Sequence, residues 1–328
     1  MLAAFYTRTG PAREVLDVGE IETPGAGPGE VRVRLATSGV NPSDVKTRGG
    51  VRSRDLAFPR IVPHSDGAGV IDQVGHGVPP GRLGERVWVW NAAWGRPSGT
   101  AAQFVVLPAQ QAVPLPANTS FEAGACLGIP ALTAYHAVHG NGGVAGKMVL
   151  VAGGAGAVGH YAVQFAKIAG AARVVATISG AAKAALARDA GADEVVNYRT
   201  EDVAQRCLDL TAGTGVDRVV ELDLAVNLKM DLAALRRDGE ITVYGSGLPE
   251  IPVPFFPALL KNVRLQFFIV YNLADADRKS GLAGVTALLN QDRLKHNINA
   301  RLPLARIAEA HELVESGKAL GNVVIDTA

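Results

Sequence analysis

The stretch that most constrains this chain is VLVAGGAGAVG, Val149 to Gly159, running into HYAVQFAKIAG. An apolar run that breaks into glycines and re-emerges with helical spacing predicts a strand, a tight turn and a helix. Gly154, Gly156 and Gly159 fit G-x-G-x-x-G, with Gly153 in front and Ala157 and Val158 inside the motif. That spacing serves a tight turn, close approach of backbone N–H groups to a pyrophosphate, and close helix–strand packing. Glycine-rich turns without a ligand share the pattern, so the elements downstream of the glycines decide between the two. KMVLVAG, RVVATI, DEVVNY, VDRVVEL and EITVYGSG read as strands. They alternate with helices over HYAVQFAKIAG, AAKAALARDAG, TEDVAQRCLDLTAG (capped at Thr200) and LKMDLAALRRDG. The rhythm predicts an α/β fold, a Rossmann-type doubly wound parallel sheet with right-handed crossovers.

The first third differs. EVRVRLATSGV, GAGVIDQVG, ERVWVW and AAQFVVLPAQQAVPLP read as short strands between Gly/Pro turns, the pattern of a small barrel or sandwich. SFEAGACLGIPALTAYHAV, with Ser120 as N-cap, is helical. After residue 255, NVRLQFFIVYN reads as a strand, GLAGVTALLNQD and LARIAEAHELVESGK as helices, and GNVVIDTA as a last strand. The layout is a β-rich domain from both chain ends around an inserted α/β domain. The expected bounds are 1–122 with 264–328, and 123–263.

Hydrophobic residues make up 48% against 19% charged, which excludes disorder. A net charge of +1 gives no global field toward nucleic acid or membranes. No apolar run reaches the roughly 18 residues of a membrane span, and MLAAFYTRTGPAREV lacks signal-peptide features. The two cysteines, Cys126 and Cys207, have no ligand-like spacing. Together these features point to a reduced, cytoplasmic, globular protein.

A nicotinamide dinucleotide without a 2′-phosphate is held by an acid about 20 residues after the glycines. VVATISGAAK, Val174 to Lys183, contains none. It offers Thr177, Ser179 and Lys183, which suit a 2′-phosphate, so NADPH is the expected cofactor. Tyr198 either faces that phosphate or is an ordinary strand-end residue.

The chain resembles the zinc-independent medium-chain dehydrogenase/reductases, specifically zeta-crystallin-like NADPH:quinone oxidoreductases. The matching segments are SGVNPSD (38–44), PHSDGAGVIDQVG (63–75), GERV (84–87), GIPALTAYHAV (128–138), VLVAGGAGAVG, GADEVVNYR (191–199), ELDLAVNL (221–228) and PLARIAEAHELVESGKALGNVVI (303–325). The resemblance implies a GroES-like β-rich domain beside the Rossmann domain. It also implies a homodimer or homotetramer, with a sheet edge near 264–271 as the contact. Zinc relatives carry Cys where this chain has Asn41 and Gly-His-Glu where it has His64-Ser65-Asp66, so no zinc site is expected.

Without a metal to polarise the substrate, electron-poor acceptors are favoured. The expected activity is NADPH-dependent, zinc- and flavin-independent reduction of quinones in an interdomain cleft. The alternatives are reduction of activated, α,β-unsaturated double bonds, or an NADPH-binding structural or RNA-binding role. Within the resemblance Asn41 is a cleft amide for an acceptor oxygen, against its reading as a turn residue before Pro42. Thr133 is a cofactor-contacting threonine, and Gly245 and Ser246 lie at the nicotinamide end. Phe268, with Phe267 and Tyr271, lines the cleft or builds the subunit edge. Asn322 stands at a coenzyme position where many relatives carry Lys. DVKTRGGVRSRD places Lys46, Arg48, Arg52 and Arg54 where relatives carry an aromatic residue. It is either a solvated loop or, through Lys46, a contact for an anionic acceptor. Trp88 and Trp90 share a strand face and read as packing residues.

Overall fold

The chain divides into Met1–Pro130 with Leu282–Ala328, and Ala131–Gly281. The computed structural model describes residues 1–51 and 53–327, so Arg52 of the basic stretch lies outside the described residues.

In the first unit β1 (Leu2–Phe5) and β2 (Asp17–Glu20) flank the one-turn α1 (Ala12–Val15). β3 (Glu30–Val40) shows the alternation read from its sequence: Val31, Val33 and Leu35 are buried and Arg34 is exposed. Then come α2 (Pro42–Arg48), β4 (Asp66–Val74), β5 (Arg86–Val89), β6 (Phe104–Pro108), β7 (Ala112–Pro114) and α3 (Phe121–Gly124). Ser120 caps α3, its hydroxyl accepting the Ala123 N–H at 3.2 Å.

The second unit carries α4 (Leu132–His139), β8 (Met148–Val151), α5 (Ala157–Ile168), β9 (Arg173–Ile178), α6 (Ala181–Asp189) and β10 (Glu194–Asn197). It continues through α7 (Val203–Leu210), β11 (Val216–Glu221), α8 (Leu224–Ala234), β12 (Leu235–Val243), α9 (Phe255–Leu260) and β13 (Arg264–Phe267). Its sheet runs β10-β9-β8-β11-β12-β13, every pair parallel, with the order reversing between β8 and β11. This is the expected doubly wound sheet, and its ligand crevice belongs at that reversal.

From α10 (Asp275–Asn290) the chain returns to the first unit as β14 (Ile298–Pro303), α11 (Ile307–Glu315) and β15 (Asn322–Asp326). The order there is β14-β15-β3-β4-β5-β7, with β6 on β3. One hydrophobic core joins Ala3, Val40 and Val62 from the N-terminal part to Leu302, Ile307 and Val323 from the end. The GroES-like unit is thus built from both ends of the chain.

Three sequence readings shift. The expected boundary at 263/264 moves beyond β13, because β13 pairs along β12 and completes the parallel sheet. NVRLQFFIVYN is accordingly a short edge strand followed by a turn at Val270–Asn272. Helix α8 ends at Ala234 rather than in RRDG, since Lys261 Nζ takes its final carbonyls, Leu232 O at 2.6 Å and Ala233 O at 3.1 Å. The cap of α7 is Asp202, not Thr200: its carboxylate accepts the Gln205 N–H at 3.0 Å. Among the described residues no helix is long and apolar enough to cross a membrane.

A buried cation organises the second unit. Arg218 on β11 is 1% exposed. Its guanidinium donates to the carbonyls of Val138 (3.2 Å), Gly140 (3.0 Å) and Asn141 (3.1 Å), and to Glu240 Oε2 (3.2 Å) on β12. It thereby satisfies the open C-terminal end of α4, the helix that carries Thr133, and pairs with buried Glu240, which Arg264 approaches less closely at 3.9 Å. Removing one partner of such a pair strands a buried charge, so Arg218→Ala is expected to lower the unfolding free energy by about 3–5 kcal/mol in chemical denaturation. A loss below about 1 kcal/mol, the scale of a surface pair, would contradict this role.

Candidate active site

After β8 the backbone turns at Gly153, which has φ +66. The loop is laced to the next strand: Gly153 N–H donates to Thr177 Oγ1 at 2.9 Å and Gly154 N–H to Thr177 O at 3.0 Å. A Cβ on Gly154 would lie 2.5 Å from Ala176 Cβ, and one on Gly159 would lie 2.2 Å from the Gly153 carbonyl oxygen. Only hydrogen fits at both places, so α5 approaches the turn closely, with Gly156 as its N-cap. The first-turn N–H groups of Ala157 and Val158 have no acceptor within the helix, as at any helix N-terminus that holds an anion. This cradle fits a pyrophosphate in shape and in donor chemistry.

Thr177 is 5% exposed and its hydroxyl oxygen is engaged by Gly153. It latches the glycine loop to β9. Ser179 follows β9 and Lys183 lies in the first turn of α6. Asn197 pairs with Ile178, and the Tyr198 N–H donates to Ile178 O at 3.1 Å. Ser179 and Tyr198 therefore stand side by side, one step past the paired ends of adjacent strands. Exposed Arg199 adds a second cation at this corner. The sequence reading passed over it, although the NYR triplet that ends GADEVVNYR was its signal.

At the other side of the reversal, Gly245 lies so close to the preceding turn that a Cβ would be 2.1 Å from Leu222 O. Ser246 Oγ donates to Leu248 O at 2.7 Å. Phe268 packs edge-on against His136, with ring centres 4.6 Å apart, and near Tyr244 at 6.4 Å. Thr133 is buried in α4. The glycine loop, Ser179, Lys183, Tyr198, Gly245, Ser246, Phe268 and Thr133 all belong to the second unit.

The first unit contributes differently. Asn41 is buried, and its Nδ2 donates to Asp66 Oδ2 at 2.9 Å while its backbone N–H donates to Asp44 Oδ2 at 2.8 Å. Its amide thus braces a buried carboxyl that burial pushes well above the carboxylate range, with the Ile129 N–H also on Asp66 Oδ2. Asn322 is likewise buried and donates to Asn297 O at 3.0 Å. Arg48 is no solvated loop cation: it is 1% exposed, bonded to Gly10 O and paired with Glu315 on α11. Trp88 is fully buried, as a packing residue should be.

His64 carries φ +76, a left-handed backbone rare for its type. Its Nδ1 meets Ser38 Oγ at 2.8 Å and its Nε2 meets His311 Nε2 at 2.9 Å. Thr100 Oγ1 gives its proton to Asp66 O at 2.5 Å, so Ser38 Oγ, 2.7 Å away, donates to Thr100 and accepts from His64 Nδ1–H. His64 Nε2 is then the acceptor and His311 the donor, and both rings are neutral. With both nitrogens of His64 engaged, Ser65 beside it and Asn41 in place of a thiolate, these residues do not fit a catalytic zinc. Among the described residues no group of three or more His, Cys, Asp or Glu side chains is arranged to hold a metal.

Residues 157–285 match the zinc-binding dehydrogenase family model and residues 27–117 the alcohol dehydrogenase GroES-like domain. Human quinone oxidoreductase is 30% identical over 299 residues, covering 90% of this chain and 88% of that protein. The chain belongs to the medium-chain dehydrogenase/reductase family, in its zeta-crystallin-like branch. A 2-haloacrylate reductase from Burkholderia sp is 29% identical over 337 residues, covering 99% of this chain and 98% of that one. Among solved structures, an NAD-dependent alcohol dehydrogenase superposes with TM-score 0.91 at 32% identity over 100% of both chains. A mycobacterial protein, Rv1454c, complexed with NADPH superposes with TM-score 0.87 at 29% identity, covering 99% of this chain and 100% of that one. The family name carries zinc, while the donor set of this chain does not.

Burial holds His64 down at about 3, and His311 is lowered by burial, by His64 and by Arg48. The native state refuses protons that the unfolded chain accepts below about 6.5, so stability present at neutral pH drains away as pH falls toward 3. His64 is expected to cost about 2 kcal/mol between pH 7 and 5, and His311 acts in the same direction. His64→Asn, which suits the left-handed backbone, should flatten that acid slope in pH-dependent denaturation; an unchanged slope would refute the neutral pair.

Proposed function

We propose that this protein is an NADPH-dependent, zinc- and flavin-independent oxidoreductase that reduces quinones. The observation that carries the reading is the glycine cradle at the start of α5 beside a second strand end with no acid but with Ser179, Lys183 and Tyr198. A carboxylate there would repel a 2′-phosphate, whereas Lys183 and Arg199 attract it. The mycobacterial relative solved with NADPH supports the same choice. When bound, the coenzyme supplies a hydride. The chain's part is to hold the pyrophosphate on the N–H groups of α5 and to shape the nicotinamide end with Gly245, Ser246, Phe268 and Thr133. Electron-poor acceptors suit a donor set that builds no Lewis acid, and the human quinone oxidoreductase supports quinones as the class.

A second reading, reduction of activated double bonds, is favoured by the 2-haloacrylate reductase relative and by Lys46. An acrylate carries a carboxylate, and Lys46 on α2 is the cation that the basic stretch would offer it.

The test monitors NADPH or NADH absorbance with neutral quinones, carboxylated quinones and enones, chelator present throughout. Chelator-insensitive quinone turnover with NADPH is expected. Turnover only with NADH, or only without chelator, would overturn the coenzyme or the metal reading, and silence on quinones with activity on enones would select the second. Lys46→Tyr is expected to improve neutral quinones at the expense of carboxylated acceptors; no improvement would remove Lys46 from the site.

The outer strand β13 leaves Phe267 61% exposed, and α9 before it exposes Phe255, Phe256, Leu259 and Leu260. We assign this edge to self-association. Phe267→Asp is expected to lower the mass measured by light scattering, and an unchanged oligomeric mass would place the contact elsewhere.

A further inference from the structure

Glu221 ends β11 and Asp231 lies within α8, and both side chains are 0% exposed. Glu221 Oε1 is satisfied twice, by Asn227 Nδ2 at 3.0 Å and by the Asp223 backbone N–H. Glu221 Oε2 and both oxygens of Asp231 have no N–H or O–H donor among the described residues. Asn227, whose Nδ2 holds Glu221 Oε1, lies one helical turn before Asp231 on α8, which brings the Asp231 carboxyl up to that of Glu221. The other ionisable groups facing the pair are Asp223 in the turn, Tyr244 just after β12 and Cys207 on α7, and none is a cation. Two adjacent buried carboxylates without a counter-charge are not a stable arrangement; one proton held between them converts two orphaned acceptors into a hydrogen bond.

The same residues reach the nicotinamide end. Asp223, held by Glu221, accepts the Gly247 N–H at 2.7 Å. Tyr244 N–H donates to Glu221 O at 3.1 Å, and Leu224 N–H to Gly245 O at 3.2 Å. The β11–α8 turn and the loop Gly245–Gly247 are therefore one laced unit whose anchor is Glu221.

We propose that Asp231 and Glu221 share a single proton at neutral pH, with Asp231 as donor, and that this pair is the positioning element for the Gly245–Gly247 loop of the coenzyme site. The coenzyme half of this inference rests on the function proposed above; the shared proton does not. Burial and Glu221 push Asp231 up to about 9, and burial raises Glu221 as well.

Between about 4, where a free Asp titrates, and about 9 the native chain keeps a proton that the unfolded chain releases. Stability from this pair is complete at low pH and declines as pH rises through that window. The experiment compares wild type, Asp231→Asn and Asp231→Leu. The melting temperature of wild type is expected to lose ground to Asp231→Asn steadily from pH 5 to 9, because the amide keeps a donor to Glu221 without a proton to lose. Parallel pH profiles would overturn the shared proton.

For positioning, NADPH affinity at pH 7 is expected to stay within about twofold in Asp231→Asn and to fall about tenfold in Asp231→Leu, which leaves Glu221 short of its donor. Amide exchange at Gly245–Gly247 should rise in Asp231→Leu alone. Equal exchange in the two variants would overturn the positioning role even if the wild type bound no NADPH, an outcome that would by itself refute only the coenzyme reading.

Discussion

The contact on which this molecule depends is the approach of α5 to the glycine turn. A Cβ on Gly159 would sit 2.2 Å from the Gly153 carbonyl, so a single methyl group would push the helix off the strand end. That separation decides whether the helix N-terminus faces a phosphate or stands away from it, since the attraction of its N–H groups fades within one turn. Thr177 holds the turn from the neighbouring strand and so ties the pyrophosphate cradle to the place where the 2′-phosphate would lie.

Much of this was legible in the sequence because it depends on local rules. The strand–turn–helix rhythm, the glycine spacing and the acid missing after β9 are all short-range features, and the parallel sheet followed from the alternation of strands and helices. What the sequence could not reveal was where polar groups would meet. Thr177 reads as a ligand contact, and its hydroxyl also accepts the Gly153 N–H from the neighbouring turn. Asn41 looks like a free cleft amide, yet its Nδ2 serves Asp66, twenty-five positions later. Arg48 reads as one cation in a solvated run, but its partner Glu315 comes from the far end of the chain. The end of α8 was misplaced because Lys261, also distant in sequence, takes its carbonyls.

The first unit shows what becomes of a metal-type framework without a thiolate. Asn41 and Asp66, which stand where zinc relatives carry Cys and Glu, belong to one hydrogen-bonded system: Asn41 on Asp66, Thr100 on Asp66 O, Ser38 between Thr100 and His64, and His64 on His311. Its proton directions are determined throughout, and it joins the β3–β4 region to α11. Buried polar groups are costly unless each is satisfied, and satisfied ones specify a unique arrangement. Here they bind the last helix of the chain to its first strands, which explains why both chain ends are needed for one unit.

The most direct measurement of the central claim is a calorimetric titration of the unmodified protein with NADPH and with NADH at matched ionic strength. The acid-free strand end with Ser179, Lys183, Tyr198 and Arg199 requires NADPH to bind at least about tenfold more tightly, the effect of roughly 1.4 kcal/mol from the 2′-phosphate. That preference should shrink as salt is raised. Equal affinities, or tighter binding of NADH, would mean that this corner of the second unit does not recognise the phosphate.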